Sequence, residues 1–537
     1  MKIKDFQLKQ NPKIIEANSK LRDVAVSLGK YNLDYLLQFC SFISILSFLN
    51  WIHKKESINL WRYFDPVFIK KLCKAILLSN SNSTKRGYFQ INDFIDIYNR
   101  LKEIDTLVYS EDAPDTFNQM LASVANTQSY YQEADFSREI GRSILLFDTI
   151  PTKYELKRDR WVDVFAMFKN EYGILITEIY PLILALVMHC ESRYKTIYDE
   201  LEKTPERILP QAVLEKFHTL LEQGDLCTIN IYNEDIPVVT FNAFSRFCES
   251  ISVPLRDVRS LIRGITSSIM VSDWHPFRIQ PLVNVAPNMF IIPSLWELIQ
   301  YIRKLPSIFI ANQESEIAKQ IYTNMGLCYE KYVFDYMITK HSSTLIISES
   351  NFTKSELGPD ISIIDPVSQT GIFIEVKSAS IPLPSRNDPM LWENKLNELL
   401  ELVEKLDKKV KRIYKGEGDY KQYRTDIEKC DTENSILVVV CGDLGFFFDA
   451  MLIDRVKKSV IINRSDRVLF LDIHGIEDLI EYSYQTKTSL VEAFSILIDI
   501  QNKSPHERNV KNAFSQYDRK LTPWYLKFTE ENITQVK

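Results

Sequence analysis

Apolar residues in the first ~270 positions recur at three- and four-residue spacing, as in Ile91, Phe94, Ile95, Tyr98 and Leu101, which predicts helices. Loop chemistry (Ser, Asn, Asp, Pro, Gly) breaks this pattern at 79–87, 111–114, 149–152 and 203–205. The texture changes near Pro276. The stretches 281–285 (PLVNV) and 289–293 (MFIIP), joined by Ala286-Pro287-Asn288, predict a β-hairpin leading into a helix over 295–302. A long helix is expected over 313–340, then strands at 344–348, 360–364 and 372–377. A helix over 390–413, strands at 436–441 and 468–473, and helices over 477–484 and 490–500 follow. The chain thus reads as an α+β multidomain protein, with a mostly helical N-terminal region (1–270), a hairpin and connecting helix (271–312), an α/β domain (313–500) and a tail (501–537). The α/β part is about 190 residues long, an ordinary domain size.

Two apolar stretches invite a membrane reading, Tyr35–Ile52 and Ile174–Met188. Gln38, Asn50 and several Ser interrupt the first, and Glu178 and Pro181 the second. A spanning helix needs ~20 nearly continuous apolar residues, so buried core helices are expected and no membrane contact. The N-terminal MKIKDFQLKQNPK has no apolar h-region, so no signal peptide is expected. Eight scattered cysteines without a C-x-x-C pair fit a reducing, cytoplasmic setting.

Composition narrows the chemistry. The chain has 537 residues, 65 Lys+Arg and 71 Asp+Glu, giving a formal net charge of −6, which excludes a histone-like basic protein. From Ala311 onward there are 29 Lys+Arg against 35 Asp+Glu, so the α/β half carries the acidity. Only 14 glycines occur, and no G-x-x-x-x-G-K-[ST] or G-x-G-x-x-G phosphate loop is present.

The informative segment is Gly358-Pro359-Asp360, followed by Ile372-Phe373-Ile374-Glu375-Val376-Lys377. Side chains alternate along a strand, so Glu375 and Lys377 share one face. Pro359 suits a strand start, because it has no N–H to give. If the two strands pair as a hairpin around Asp365–Gly371, Asp360 and Glu375 converge at one end. Two carboxylates beside an ammonium suit Mg²⁺, which takes oxygen ligands and is usually held by one or two carboxylates. Glu-x-Lys or Asp-x-Lys alone is uninformative: Glu155, Glu393, Asp407, Asp419 and Asp518 begin the same triplet in helical or loop contexts.

Pro359-Asp360, Glu375-x-Lys377 and the order of elements resemble the PD-(D/E)xK nuclease superfamily, the restriction-endonuclease-like fold, over about residues 313–484. The resemblance implies a Mg²⁺-dependent (or Mn²⁺-dependent) endonuclease acting on DNA, less often on RNA. It implies that Asp360, Glu375 and the backbone carbonyl of Val376 hold the metal, that Lys377 activates the water, and that Glu330, in GLCYEKYV on the first helix, is a further catalytic acid. Freestanding nucleases of this plan resemble restriction and anti-phage defence effectors of prokaryotes, with the N-terminal region as sensor, partner-binding or oligomerising element. Close packing is the reading for Gly326 on that helix. An RNA nuclease of the same fold, or a non-catalytic scaffold retaining it, are the alternatives.

Phosphate contacts need Lys or Arg. Lys408, Lys411, Arg412, Lys415 and Gln422 form one candidate nucleic-acid surface. The other is Arg256, Arg259 and Arg263, in a possible helix-turn-helix whose second helix starts at Pro254.

Overall fold

The computed structural model describes residues 12–52, 64–82, 84, 87–108, 141–156, 161–223, 228–231, 238–263, 275–341, 344–349, 358–380, 389–416, 423–443, 448–459, 462 and 464–503. They form two compact units. One takes its described residues from 12–108 and 165–309, the other from 141–164 and 310–503.

The first unit is mainly helical: α1 (Pro12–Leu28), α2 (Leu33–Ile52), α3 (Pro66–Leu78), α4 (Ile91–Val108), α5 (Val164–Tyr172), α6 (Ile176–Glu202), α7 (Leu209–Glu222), α8 (Val238–Ser250), α9 (Leu295–Arg303) and α10 (Leu305–Ala311). Helix α2 is apolar all round, the signature of a core helix. Its window Leu33–Asn50 is long and apolar enough to cross a membrane, and 94% of it is buried inside the protein. The bent pair α5 and α6, meeting at 62°, passes the same length and composition test only when taken together. The polar interruptions in α2 have a structural use. Ser44 Oγ accepts the Leu295 N–H at 2.7 Å, and Ser47 Oγ accepts the Trp296 indole N–H at 3.3 Å. The Leu295 N–H is one of the donors at the start of α9 that lack intrahelical partners.

A small mixed sheet completes this unit: β1 (Thr228–Asn230), β2 (Ser252–Pro254), β3 (Leu282–Ala286) and β4 (Met289–Ile291), in the order β1-β4-β3-β2. The expected hairpin is β3–β4, turned by Asn288 at φ 59°. Asn is among the few non-glycine residues that accept the left-handed region. Among the described residues, the second helix of the expected helix-turn-helix is only a 3₁₀ turn and one α turn. Residues 252–254 instead pair in parallel with β3, placing Val253 opposite Val283, and one 3₁₀ turn (Leu255–Asp257) and one α turn (Ser260–Arg263) follow.

The second unit is built on α11 (Ser315–Lys340), β5 (Leu345–Ser348), β6 (Ile361–Asp365), β7 (Thr370–Ser380), α12 (Pro389–Tyr414), β8 (Ile436–Asp443), α13 (Phe448–Lys458), β9 (Val468–Asp472), α14 (Ile473–Thr486) and α15 (Leu490–Lys503). Its sheet has the order β5-β6-β7-β8-β9. The first three strands are antiparallel neighbours, and β7-β8-β9 run parallel. Parallel neighbours need a crossover, usually a helix. Helix α12 supplies it before β8 and α13 before β9; the pattern of the sequence did not reveal α13. Strand β8 lies between β7 and β9, and its apolar run Ile436–Cys441 is buried throughout, as expected of a strand covered on both faces. Leu396, Leu399, Val403, Leu406, Val410 and Ile413 of α12 pack against Phe373, Leu437 and Val439.

Residues 141–164 belong to this second unit, not to the helical region around them in sequence. Arg142 (5% exposed) makes a bidentate ion pair with Glu477 (0% exposed), both contacts at 2.7 Å. Tyr332 also donates to Glu477 Oε1, at 2.6 Å. Lys153 Nζ lies 2.7 Å from Asp335 Oδ2, and Tyr154 donates to the other oxygen.

Candidate active site

The site is assembled by the pairing of β6 with β7. Antiparallel register puts Ile361 opposite Ile374, so Asp360, one residue before β6, falls beside the stretch 375–376. Asp360 Oδ2 accepts the Val376 N–H at 2.7 Å. A strand residue directs its N–H and C=O to the same edge, so the Val376 carbonyl also faces the Asp360 side. Phe373, Glu375 and Lys377 alternate onto the α12 face of β7, while Ile374 and Val376 go to the other.

Lys377 links the two acids. Its Nζ is 3.1 Å from Glu375 Oε1 and 3.7 Å from Asp360 Oδ2. Both carboxylates are buried, Asp360 at 6% and Glu375 at 5% exposed. Burial, and then the charge of Glu375, lift the Asp360 carboxyl well above the ordinary range, although Lys377 and the Val376 N–H work the other way. Burial opposes the charge on Lys377, but Asp360 and Glu375 outweigh it and hold the ammonium above its usual range. Glu330 accepts from Lys331 Nζ at 3.2 Å, and its contribution to the site is negative charge, which raises Asp360.

Two residues that the sequence did not single out for the site belong to it. Lys409 of α12 donates to both oxygens of Glu375, each at 3.2 Å. The signal for it is a lysine inside the apolar stripe Leu406, Val410, Ile413, where a solvated face has no place. Glu349 follows β5, and its backbone N–H donates to the Asp360 carbonyl at 2.9 Å. Burial, then the charge of Asp360, push the Glu349 carboxyl up to about 7. Its Oε1 is buried and has no hydrogen-bond partner among the described residues. An acid ending an apolar strand is the only trace of it in the sequence.

Among the described residues, no cage of three or more His, Cys, Asp and Glu side chains is present. The arrangement is an open pair, Asp360 and Glu375, with the orphaned Glu349 oxygen nearby. Those donors are hard oxygens, and Mg²⁺ needs only one or two protein carboxylates, so they fit Mg²⁺ or Mn²⁺.

On α12, Lys408, Arg412 and Lys415 are exposed. Lys411 lies 2.7 Å from Asp407 Oδ2, and buried Asp407 also pairs with Arg464 at 3.1 Å. Gln422 lies outside the described residues, as does the side chain of Arg263. Arg256 is exposed beside Asp257, whereas Arg259 donates to the Ser81 carbonyl, so these two do not share a reading face. Tyr414 is engaged by Ser435 and Phe373, which leaves its hydroxyl and ring committed to packing. The expected close packing at Gly326 is also absent among the described residues, where an added Cβ would meet only Ser378 Oγ, at 3.8 Å.

Comparison with protein families, with curated proteins and with solved structures found no match to this chain.

Proposed function

We propose that the second unit is a metal-dependent nuclease domain of the PD-(D/E)xK, restriction-endonuclease-like class, and that it hydrolyses phosphodiester bonds in DNA. One observation carries this reading: two buried carboxylates from successive strands, Asp360 and Glu375, meet on the ammonium of Lys377. The order helix, three antiparallel strands, helix, parallel strand supports the fold assignment.

Asp360, Glu375 and the Val376 carbonyl would hold Mg²⁺ or Mn²⁺, which when bound lowers the pKa of a water and offsets charge on the attacked phosphate. Val376 N–H fixes the Asp360 rotamer, and Lys409 fixes that of Glu375. Lys377 keeps its proton, so its role is to orient the water and neutralise developing negative charge, not to act as the base. Exposed Lys408, Arg412 and Lys415 supply phosphate contacts that the acidic half otherwise lacks. The helical unit then serves as the sensor or partner-binding element of a cytoplasmic restriction or anti-phage defence effector.

The test is incubation of purified protein with plasmid, linear and single-stranded DNA and with RNA, in Mg²⁺ or EDTA, alongside Glu375→Ala and Lys377→Ala. DNA cleavage that needs Mg²⁺ and both residues is expected. Variants that cut as well as wild type would rule out the site, and cleavage of RNA alone would move the reading to an RNA nuclease.

A further inference from the structure

Helix α11 carries a glycine in its interior for which packing gives no reason. Glycine is unfavourable inside a helix, yet among the described residues a Cβ at Gly326 would meet only Ser378 Oγ, at 3.8 Å. A bare backbone is of use where another molecule must approach it closely.

The residues around Gly326 narrow the occupant. One turn earlier, on the same face, stands Tyr322. Tyr332 and Tyr336 of the same helix are 2% and 4% exposed, whereas Tyr322 is 36% exposed. Among the described residues, no ring, cation or hydrogen-bonding group engages the Tyr322 side chain. Leu327 beside Gly326 is exposed as well. From Tyr322 to Tyr329 the sequence contains no charged residue. Phosphates are met by Lys and Arg, so this face does not suit a phosphate. An exposed aromatic ring on a neutral surface suits a nucleobase.

The face is continuous with the candidate active site. Ser378 Oγ donates to the Tyr322 carbonyl at 3.2 Å, which ties this turn of α11 to β7. Ser378 directly follows Lys377, the residue whose ammonium joins Asp360 and Glu375. At about 3.3 Å per strand residue, Ser378 lies about 10 Å along β7 from Glu375. A stacked nucleic-acid strand covers that distance in about three nucleotides, at 3.4 Å each.

We propose that this face of α11 takes an unpaired stretch of the DNA strand being cut, with a base stacked on Tyr322 about three nucleotides from the scissile phosphate and the strand passing over Gly326. A base inside a closed duplex is already stacked on both faces, so the substrate class is single-stranded or frayed DNA. The inference rests on the nuclease reading for its occupant and adds the conformation of the strand.

The experiment is fluorescence anisotropy with a labelled single-stranded oligonucleotide and with the same sequence in a duplex closed by a hairpin at each end. Ca²⁺ replaces Mg²⁺, so that the carboxylates are offset, and the DNA is checked to remain intact. The full chain is expected to bind the single strand more tightly than the closed duplex. Tyr322→Ala weakens single-strand binding by roughly 5- to 150-fold, the range for losing one base stack, and Tyr322→Phe, which keeps the ring, restores it. Gly326→Gln weakens binding severalfold yet melts no lower than wild type, so its loss of binding is not a loss of fold; it decides alone if Tyr322→Ala fails to fold. The inference is overturned if the closed duplex binds as well as the single strand, or if either folded variant binds like wild type. Where that happens and the wild type still cuts DNA in Mg²⁺, the nuclease reading stands without it. DNA neither bound in Ca²⁺ nor cut in Mg²⁺ removes both.

Discussion

Asp360 reaches across from the start of one strand to the backbone of the next, where its Oδ2 accepts the Val376 N–H at 2.7 Å. Val376 lies between Glu375 and Lys377, so one hydrogen bond ties all three candidate residues into a single register. A slip of one residue in β7 would turn Glu375 and Lys377 to the opposite face.

Asp360→Asn keeps the shape and removes one of two neighbouring negative charges. Activity should fall at least ~10²-fold, the usual scale for losing a group that stabilises charge in a transition state. The cation-free protein should melt at pH 8 no lower than wild type, because like-charge repulsion is relieved. A large loss of stability would assign Asp360 a structural role instead.

The pH dependence follows from Asp360 and Glu349, whose carboxyls are raised in the folded state, Glu349 to about 7. An acid raised by folding binds its proton more tightly when folded. It therefore favours folding below its ordinary pKa, and that stability is lost as pH climbs from about 4 to 7. Without divalent cation, the melting midpoint should fall between pH 5 and 8. Carboxylates must be deprotonated to bind a metal, so the Mg²⁺-induced rise in midpoint should be larger at pH 8 than at pH 6. A Mg²⁺ response independent of pH would remove these acids from the site.

Lys409 and a metal ion compete for the same oxygens of Glu375. Lys409→Met should therefore lower the Mg²⁺ concentration giving half-maximal cleavage severalfold, whereas Lys377→Met should abolish cleavage at any Mg²⁺ concentration. Titration of activity against Mg²⁺ separates the two; an unchanged midpoint for Lys409→Met contradicts the competition.

Arg142 and Glu477 form a buried, bidentate pair. Truncating one partner strands the other's charge, at a cost of about 3–5 kcal/mol. Arg142→Ala should lower the melting temperature of the second unit accordingly. The double variant Arg142→Leu with Glu477→Leu should recover much of the loss, since no charge is then left unpaired.

Gly326 sits inside α11 with only an ordinary contact awaiting a Cβ, 3.8 Å from Ser378 Oγ. Gly326→Ala should stabilise the protein by about 0.5–1 kcal/mol through helix propensity. Chemical denaturation measures this, and a loss of stability would mean that the helix and β7 pack more closely than this contact shows.

The strands and long helices of the second unit could be read from the chain because their signals are local. A pure apolar run makes β8, three- and four-residue spacing makes α12, and a proline opens β6. The triplet Glu375-Val376-Lys377 stood out for the same reason, as charges alternating within an apolar strand. What the sequence could not supply were pairings between distant segments. Helix α13 went unseen, and the need for it arises only once β8 and β9 are known to be parallel. The helix expected from Pro254 is two short turns among the described residues, and the strand just before it, which pairs Val253 with Val283, had no local signal. Residues 141–164 joined the second unit through Arg142 and Glu477, 335 positions apart. Glu349 and Lys409 entered the site only through the packing of β5 and α12. Alternation and periodicity are set by neighbouring residues, so the sequence alone carried them. Which charges meet, and which lose their water, is decided by burial, and that needs the whole tertiary fold.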